Sequence, residues 1–282
     1  MKTQLAALLI CLCALAPLDA MSQEPTTKLT WFGHSAFRLQ TPKGHVLWID
    51  PWLSNPQNPI VQRGGDPLSQ VDKGDYIVIT HGHFDHVGEA VQIANKTHAR
   101  LVATYDLADA MEKVLKFPAN QVGFDTMGDP GGQLTIADGE VKITFIQAIH
   151  SSNLDVPGSD KSGAPAVYGG VAVGYVIEII DGPTIYDSGD TAYFSDMKLV
   201  GEKFHPDLAI LDIGGHFGMG VPDAIKAATD VRAKLTIPQH YKTFPVLTQS
   251  PDEFVRGVKK MKLAARALQP GETIVFQRNQ VE

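Results

Sequence analysis

Six consecutive positions, His81-Gly82-His83-Phe84-Asp85-His86, constrain this chain more than any other feature of its 282 residues. They follow directly on the apolar run Tyr76-Ile77-Val78-Ile79, which reads as a buried strand that closes on Thr80. Four side chains able to bind a metal ion therefore crowd the end of one strand. Gly82 lets the backbone turn tightly, so the imidazoles of His81 and His83 can reach one ion while Asp85 and His86 face a second. Any fold for this chain has to bring that strand end to a place where further ligands can meet it.

The rest of the sequence offers such ligands in the same local context. Apolar strand-like runs at 141–149, 183–186, 207–213 and 235–239 pass at once into His150, into Asp187-Ser188-Gly189-Asp190, into Gly214-Gly215-His216 and into His240. In layered α/β proteins strand ends lie along one edge of a sheet, so positions remote in sequence can converge there. Short β-rich runs at 28–33, 36–40 and 45–49 open the chain, and Asp138-Gly139 and Asp181-Gly182 mark hairpin turns between apolar runs. Helical periodicity appears at 87–97, 107–117, 222–233 and 251–263. Hairpins mixed with β–α alternation predict mixed sheets flanked by helices. Two long loops, 51–74 and 151–169, start beside Asp50 and His150 and are expected to wall the site.

Composition matters for the donor chemistry. Lys2, the apolar run 5–16, Pro17 and Ala20 have the layout of a secretory signal peptide, so residues 1–20 are expected to be removed, leaving one domain over 21–282 in the periplasm or outside the cell. The apolar run is shorter than the roughly 17–25 residues of a membrane span, so no stable membrane insertion is expected. The only two cysteines, Cys11 and Cys13, lie in the leader. A metal in the mature chain would then be held by nitrogen and oxygen alone. The net charge of −7 argues against nucleic acid, which demands a basic footprint. A small-molecule substrate is the expected partner, and no feature of the sequence sets an oligomeric state.

The ordered pieces Gly33-His34-Ser35-Ala36-Phe37, Ile49-Asp50-Pro51, Thr80 to His86, His150-Ser151-Ser152, Ser188-Gly189-Asp190-Thr191, Gly214-Gly215-His216-Phe217 and His240-Tyr241 span Trp31 to about Pro245. As a set they resemble the metallo-β-lactamase superfamily, in particular its branch of metal-dependent hydrolases similar to ascorbate-6-phosphate lactonase. The resemblance implies an α/β fold, a four-layer αββα sandwich of two mixed β-sheets with the site at one edge. It implies two divalent ions, one on His81, His83 and His150, the other on Asp85, His86 and His240, with Asp190 bridging. Zn²⁺ suits so many imidazoles, and Mn²⁺ or Fe also accepts His/Asp ligation.

This resemblance implies a hydrolase of ester-type bonds, with lactones and phosphoesters favoured. Two such ions can activate a shared water, so no side-chain nucleophile is required. Asp85 is the candidate to orient that water and carry its proton. His34 and His216 are placed near the site, where either could bond the substrate. Asp50 reads as a carboxylate supporting the loop from His81 to His86, while His45, His98 and His205 read as packing or surface residues. A serine nucleophile at Ser35 is disfavoured, because Phe37 replaces the last glycine of the elbow. A di-iron oxidoreductase typically has Glu where this chain has His83, and a non-catalytic metal-binding protein is the third reading.

Overall fold

The computed structural model describes residues 26–156, 166–277 and 280–281. The expected leader, with Cys11 and Cys13, and the middle of the second long loop lie outside them. Strands β1 (Thr27–Trp31), β2 (Phe37–Gln40) and β3 (Val46–Ile49) form a meander, followed in the first long loop by the short helix α1 (Pro59–Gln62). Then come β4 (Tyr76–Val78), the short α2 (Phe84–Val87), α3 (Ala90–Thr97), β5 (Arg100–Thr104), α4 (Tyr105–Leu115) and β6 (Met127–Gly128). The second half carries β7 (Gln133–Ile136), β8 (Val141–Gln147), β9 (Asn153–Leu154), β10 (Val167–Tyr168), β11 (Val173–Ile179) and β12 (Thr184–Asp187). It continues through α5 (Met197–Phe204), β13 (Leu208–Asp212), α6 (Val221–Val231), β14 (Leu235–Gln239) and α7 (Asp252–Lys260). Finally β15 (Thr273–Gln277) and β16 (Gln280–Val281) return to the first sheet.

Two mixed sheets result, ordered β16-β15-β1-β2-β3-β4-β5-β6 and β14-β13-β12-β11-β8-β7. Alternation along the strands explains their stacking. Leu47, Ile49, Val78 and Val102 point into the core shared with Ile143, Phe145, Tyr175 and Ile177 of the second sheet. Their neighbours Val46, Trp48, Ile77, Ile79, Leu101 and Ala103 point the other way, onto Ile93 of α3 and Leu107 and Met111 of α4. Met197 of α5, Ala224 and Ala228 of α6 and Phe254 of α7 cover the second sheet. The architecture is the expected αββα sandwich. Both Asp-Gly turns join antiparallel strands, with Asp138 and Gly139 at φ of 52° and 86°. His98 and His205 are exposed left-handed caps of α3 and α5, surface residues as anticipated. Helix α5 was not anticipated, because only Met197, Val200 and Gly201 of its eight residues are buried and the periodic signal is short.

Parallel pairing sets up the site. Ile49 lies opposite Val78, and Asp212 opposite Gln239, so β3 and β4, like β13 and β14, end side by side. The residues just beyond these strand ends are thereby delivered to one edge of the sandwich.

Candidate metal centre

On the first-sheet side, Asp50 follows β3 directly and has φ 41°, a left-handed conformation that a non-glycine residue adopts only under constraint. Its Oδ1 accepts from the Thr80 backbone N–H at 2.8 Å, and its Oδ2 accepts from the Thr80 hydroxyl at 2.6 Å and from His86 Nδ1 at 2.8 Å. A carboxylate only accepts, so His86 carries a proton on Nδ1 and turns Nε2 inward. Thr80 has spent its hydroxyl proton on Asp50, so at 3.0 Å it accepts from His81 Nδ1. His81 is thereby fixed in the same tautomer, with Nε2 facing the cluster. Asp50 thus supports the histidine loop as the sequence suggested, through Thr80 as well as directly.

The same loop supplies His83 and Asp85, and the second sheet supplies His150, Asp190 and His240 beyond the ends of β8, β12 and β14. His81 Nε2 lies 2.9 Å from His83 Nδ1, which is 3.3 Å from His150 Nε2. Asp190 Oδ2 stands among the others, 2.9 Å from His240 Nε2, 3.3 Å from His86 Nε2, 3.7 Å from His150 Nε2 and 4.0 Å from His81 Nε2. Gly189, at φ 55°, lets the chain pass so close to Val173 and Thr80 that a Cβ would lie 2.8 Å from the Val173 carbonyl oxygen. Asp187 accepts from Gly189 N–H at 3.0 Å and from Gln239 Nε2 at 2.9 Å, tying the turn that presents Asp190 to the end of β14.

All seven sequence-derived ligand candidates therefore meet at one edge, in groups whose ligating atoms lie within 4.8 Å of one another: His81 with His83 and His150, and Asp85 with His86, His240 and His34. His34 is fully enclosed. Its Nε2 donates to Asp85 Oδ2 at 3.1 Å and its Nδ1 meets the Thr243 hydroxyl at 2.6 Å, which leaves neither nitrogen free for a substrate. His216 is exposed, edge-on to Phe217 with ring centroids 4.5 Å apart, and makes no hydrogen bond or ion pair with the cluster among the described residues. Asp212 was passed over in the sequence. It ends β13, is fully buried, and its Oδ1 lies 4.0 Å from His240 Nδ1 while accepting from Gly214 N–H. It fits the strand-end pattern at the end of β13, two residues before Gly214-Gly215-His216.

Electrostatics separates the two groups. Burial holds His81, His83 and His150 below the ordinary imidazole value, so all three are neutral. Burial opposes charge on His86 and His240 too, but Asp190 overrides it, lifting His86 well above 6.5 and His240 to about 9. Burial alone would raise Asp190, and His240 and His86 instead keep it well below the usual carboxylate range. These residues fit divalent cations. His81 Nε2 and His150 Nε2 both lie within 3.3 Å of His83 Nδ1, and three neutral ring nitrogens so placed cannot all pair with one another, whereas one cation satisfies all three. His86 Nε2, Asp190 Oδ1 and His240 Nδ1 are buried without a hydrogen-bond partner. The donors are imidazole and carboxylate throughout, a set suited to Zn²⁺ that also accepts Mn²⁺ or Fe.

The cluster floors a cavity of ≈ 500 Å³ whose lining includes Phe84, Asp85, Ser151, Asp155, Phe217 and Phe244. Of the second long loop, Ser151 and Asp155 line it; the first long loop contributes no lining residue, and its Trp52 stacks behind Phe244 at 5.6 Å. A larger groove of ≈ 680 Å³ beside α5 and α6, edged by Lys198, Glu202 and Arg232, holds none of these groups, so volume does not locate the chemistry.

Known proteins share this arrangement of chain. Residues 45–241 match the family model described as the beta-lactamase superfamily domain, a segment that holds every candidate ligand and begins after His34. A UPF0173 metal-dependent hydrolase of Thermodesulfovibrio yellowstonii is 43% identical over 276 residues, covering 97% of this chain and 99% of that protein. One from Anaeromyxobacter sp. is 42% identical over 253 residues, covering 89% of this chain and 87% of its own length. The solved structure of a metallo hydrolase from the archaeon Ignicoccus hospitalis has a TM-score of 0.74 at 33% identity, covering 89% of this chain and 99% of that one.

Proposed function

The chain belongs to the β-lactamase superfamily and is a metal-dependent hydrolase, and on that footing we propose that it uses two divalent cations to cleave an ester-type bond of a small molecule, a lactone or a phosphoester. The position of Asp190 carries this reading. One carboxylate oxygen stands within 4.0 Å of a ring nitrogen from His81, His86, His150 and His240 alike, so it can serve both halves of the cluster. His81, His83 and His150 would hold one cation, Asp85, His86 and His240 the other, with Asp190 between them.

Two cations held there would supply Lewis acidity, polarising the scissile group and making a water acidic enough to attack near neutral pH. The residues of the chain do the rest. Thr80 and Asp50 lock the His81 and His86 rings so that both Nε2 lone pairs face the centre. Asp85 receives the proton of the attacking water and passes it to the leaving oxygen. Burial would raise its carboxyl, but the His34 hydrogen bond holds it low, so it is ionised and able to accept. His34 is a positioning residue in this scheme: it fixes Asp85 and touches no substrate.

Metal analysis of the purified protein, paired with a screen of ester substrates before and after chelation, tests the proposal. Two equivalents of Zn²⁺ per chain, removed together with hydrolysis, are expected. A single equivalent at full activity, or turnover that survives chelation, refutes it.

A further inference from the structure

The walls above the cluster differ sharply from its floor. Phe84, Phe217 and Val246 are 53%, 58% and 57% exposed, and with Phe244 they line the cavity. Phe84 and Phe244 are not isolated surface groups. Trp52 stacks on Phe244 with centroids 5.6 Å apart and planes 12° from parallel, and meets Phe84 edge-on at 5.7 Å. Trp52 also meets the His34 ring edge-on at 5.0 Å, which anchors this aromatic group to the residue that holds Asp85. An apolar wall kept in contact with water over a polar floor is characteristic of a binding site. Its charge is equally informative. Asp155 is the charged residue that lines the cavity away from the cluster, and neither Lys nor Arg lines it among the described residues.

We infer that the substrate is an uncharged carboxylic ester or lactone bearing a flat apolar group, which lies against Phe84 and Phe244, and that phosphoesters are poor substrates. The inference rests on the hydrolase reading above and narrows it. Enzymes that handle a phosphoryl group commonly add Arg or Lys to its metal clamp. This cavity offers a carboxylate instead. In the reaction, the water oxygen bonds to the acyl carbon and the acyl C–O bond breaks. The displaced oxygen takes one proton and the acid product releases the other.

Three probes separate charge from shape: dihydrocoumarin (neutral and aromatic), γ-butyrolactone (neutral and aliphatic) and bis(p-nitrophenyl) phosphate (aromatic and anionic). Metal-loaded protein should favour dihydrocoumarin over both others in kcat/KM by about tenfold or more, the scale of one well-filled apolar contact. Phe84→Ala and Phe244→Ala should each shrink the dihydrocoumarin to γ-butyrolactone ratio by about tenfold with metal content retained. Phe84 is exposed enough that its variant should fold even if Phe244→Ala does not. A readout independent of metal comes from Trp52, since the other two tryptophans, Trp31 and Trp48, are in the core. Dihydrocoumarin should quench the fluorescence of metal-free protein saturably, and the quench should vanish in Trp52→Phe. Faster cleavage of the phosphodiester, no cleavage of dihydrocoumarin, or an unchanged ratio in both Phe variants overturns the inference. Those rates would still fall on chelation if only the specificity is wrong. If the hydrolase reading is wrong, chelation leaves them unchanged.

Discussion

At one edge of the sandwich a buried carboxylate joins the two sheets with both of its oxygens bonded, while at the opposite edge several buried polar atoms have no hydrogen-bond partner. The first carboxylate is Glu140, before β8, whose Oε2 accepts from Thr41 Oγ1 and His45 Nδ1, each at 2.7 Å, and whose Oε1 accepts from Lys43 N–H at 2.8 Å. At the second edge His86 Nε2, Asp190 Oδ1 and His240 Nδ1 are unpartnered, and His34, Asp50 and His240 hold φ of 52°, 41° and 59°. Unsatisfied buried groups cost about 1–3 kcal/mol apiece, whereas the left-handed residues do not distinguish the edges, since Ala137, Asp138 and Asp181 in the turns near Glu140 have φ of 55°, 52° and 58°. Unsatisfied groups persist where the surrounding structure over-determines them and a ligand makes use of them. The Glu140 edge is built for the fold, and the histidine edge for something the fold has to receive.

The largest effect should come from the residue that makes the histidine edge one site instead of two. Asp190→Ala leaves His81, His83 and His150 able to hold a cation, because three imidazoles suffice for one Zn²⁺. Native mass spectrometry should therefore show the two-ion species weakened more than the one-ion species. Turnover should fall by about 10²–10³-fold or more, the scale of losing a preorganised electrostatic group. With one Lewis acid fewer the attacking water is less acidic, so the pH–rate optimum should move up. Two ions held tightly with an unchanged profile would mean that Asp190 does not bridge.

A smaller effect is expected from the carboxylates behind the ligands, and the two sheets should differ. Asp50 accepts three hydrogen bonds and orients two ligands, so Asp50→Ala should weaken metal binding by about 10–100-fold. Asp212 stands 4.0 Å from His240 Nδ1, beyond hydrogen-bond reach, so Asp212→Asn should cost less than tenfold on the same scale. Competition with a chromophoric chelator measures both. Equal losses would show that the second sheet orients its ligands as firmly as the first.

The same contrast explains what could be read from the sequence. The run from His81 to His86 is contiguous, so its six positions carry their own context, and the unbroken apolar run from Val46 to Ile49 reads as a short β-strand, which the structure buries on both faces. His150, Asp190 and His240 were legible only as repeats of one strand-end pattern, since nothing local distinguishes them from caps. Thr80 was invisible as an intermediary because a threonine at a strand end has many uses, and its role depends on Asp50 lying 30 positions earlier. The enclosure of His34 depends on Thr243 and Asp85, 209 and 51 positions away. The aromatic wall joins Trp52 and Phe244 from two loops and Phe84 from the start of α2, none of which carries a period that marks these residues. Convergence of that kind is a product of topology.

The smallest effect belongs to the closed edge, and it has a pH signature that the site edge lacks. Burial would raise the Glu140 carboxyl, but its hydrogen bonds from Thr41, His45 and Lys43 prevail and lower it from the ordinary 4.5. A carboxyl whose folded value is depressed adds stability that is present above its unfolded value and lost as pH falls through the folded one. Glu140→Gln should therefore cost about 1–3 kcal/mol at neutral pH, where an ionised acceptor is replaced by an amide that turns an N–H₂ toward a donor. Below pH 4.5 the gap between variant and parent should close as the parent carboxyl takes up its proton. Thermal unfolding of both proteins across pH 3–8, with a chelator present so that metal binding does not enter, reads this directly. Metal content and turnover of the loaded variant should stay at parent values, because Glu140 and His150 lie beyond opposite ends of β8. A gap that is constant with pH would make Glu140 a neutral acceptor, and a loss of metal would mean that the two edges are coupled through the sheets.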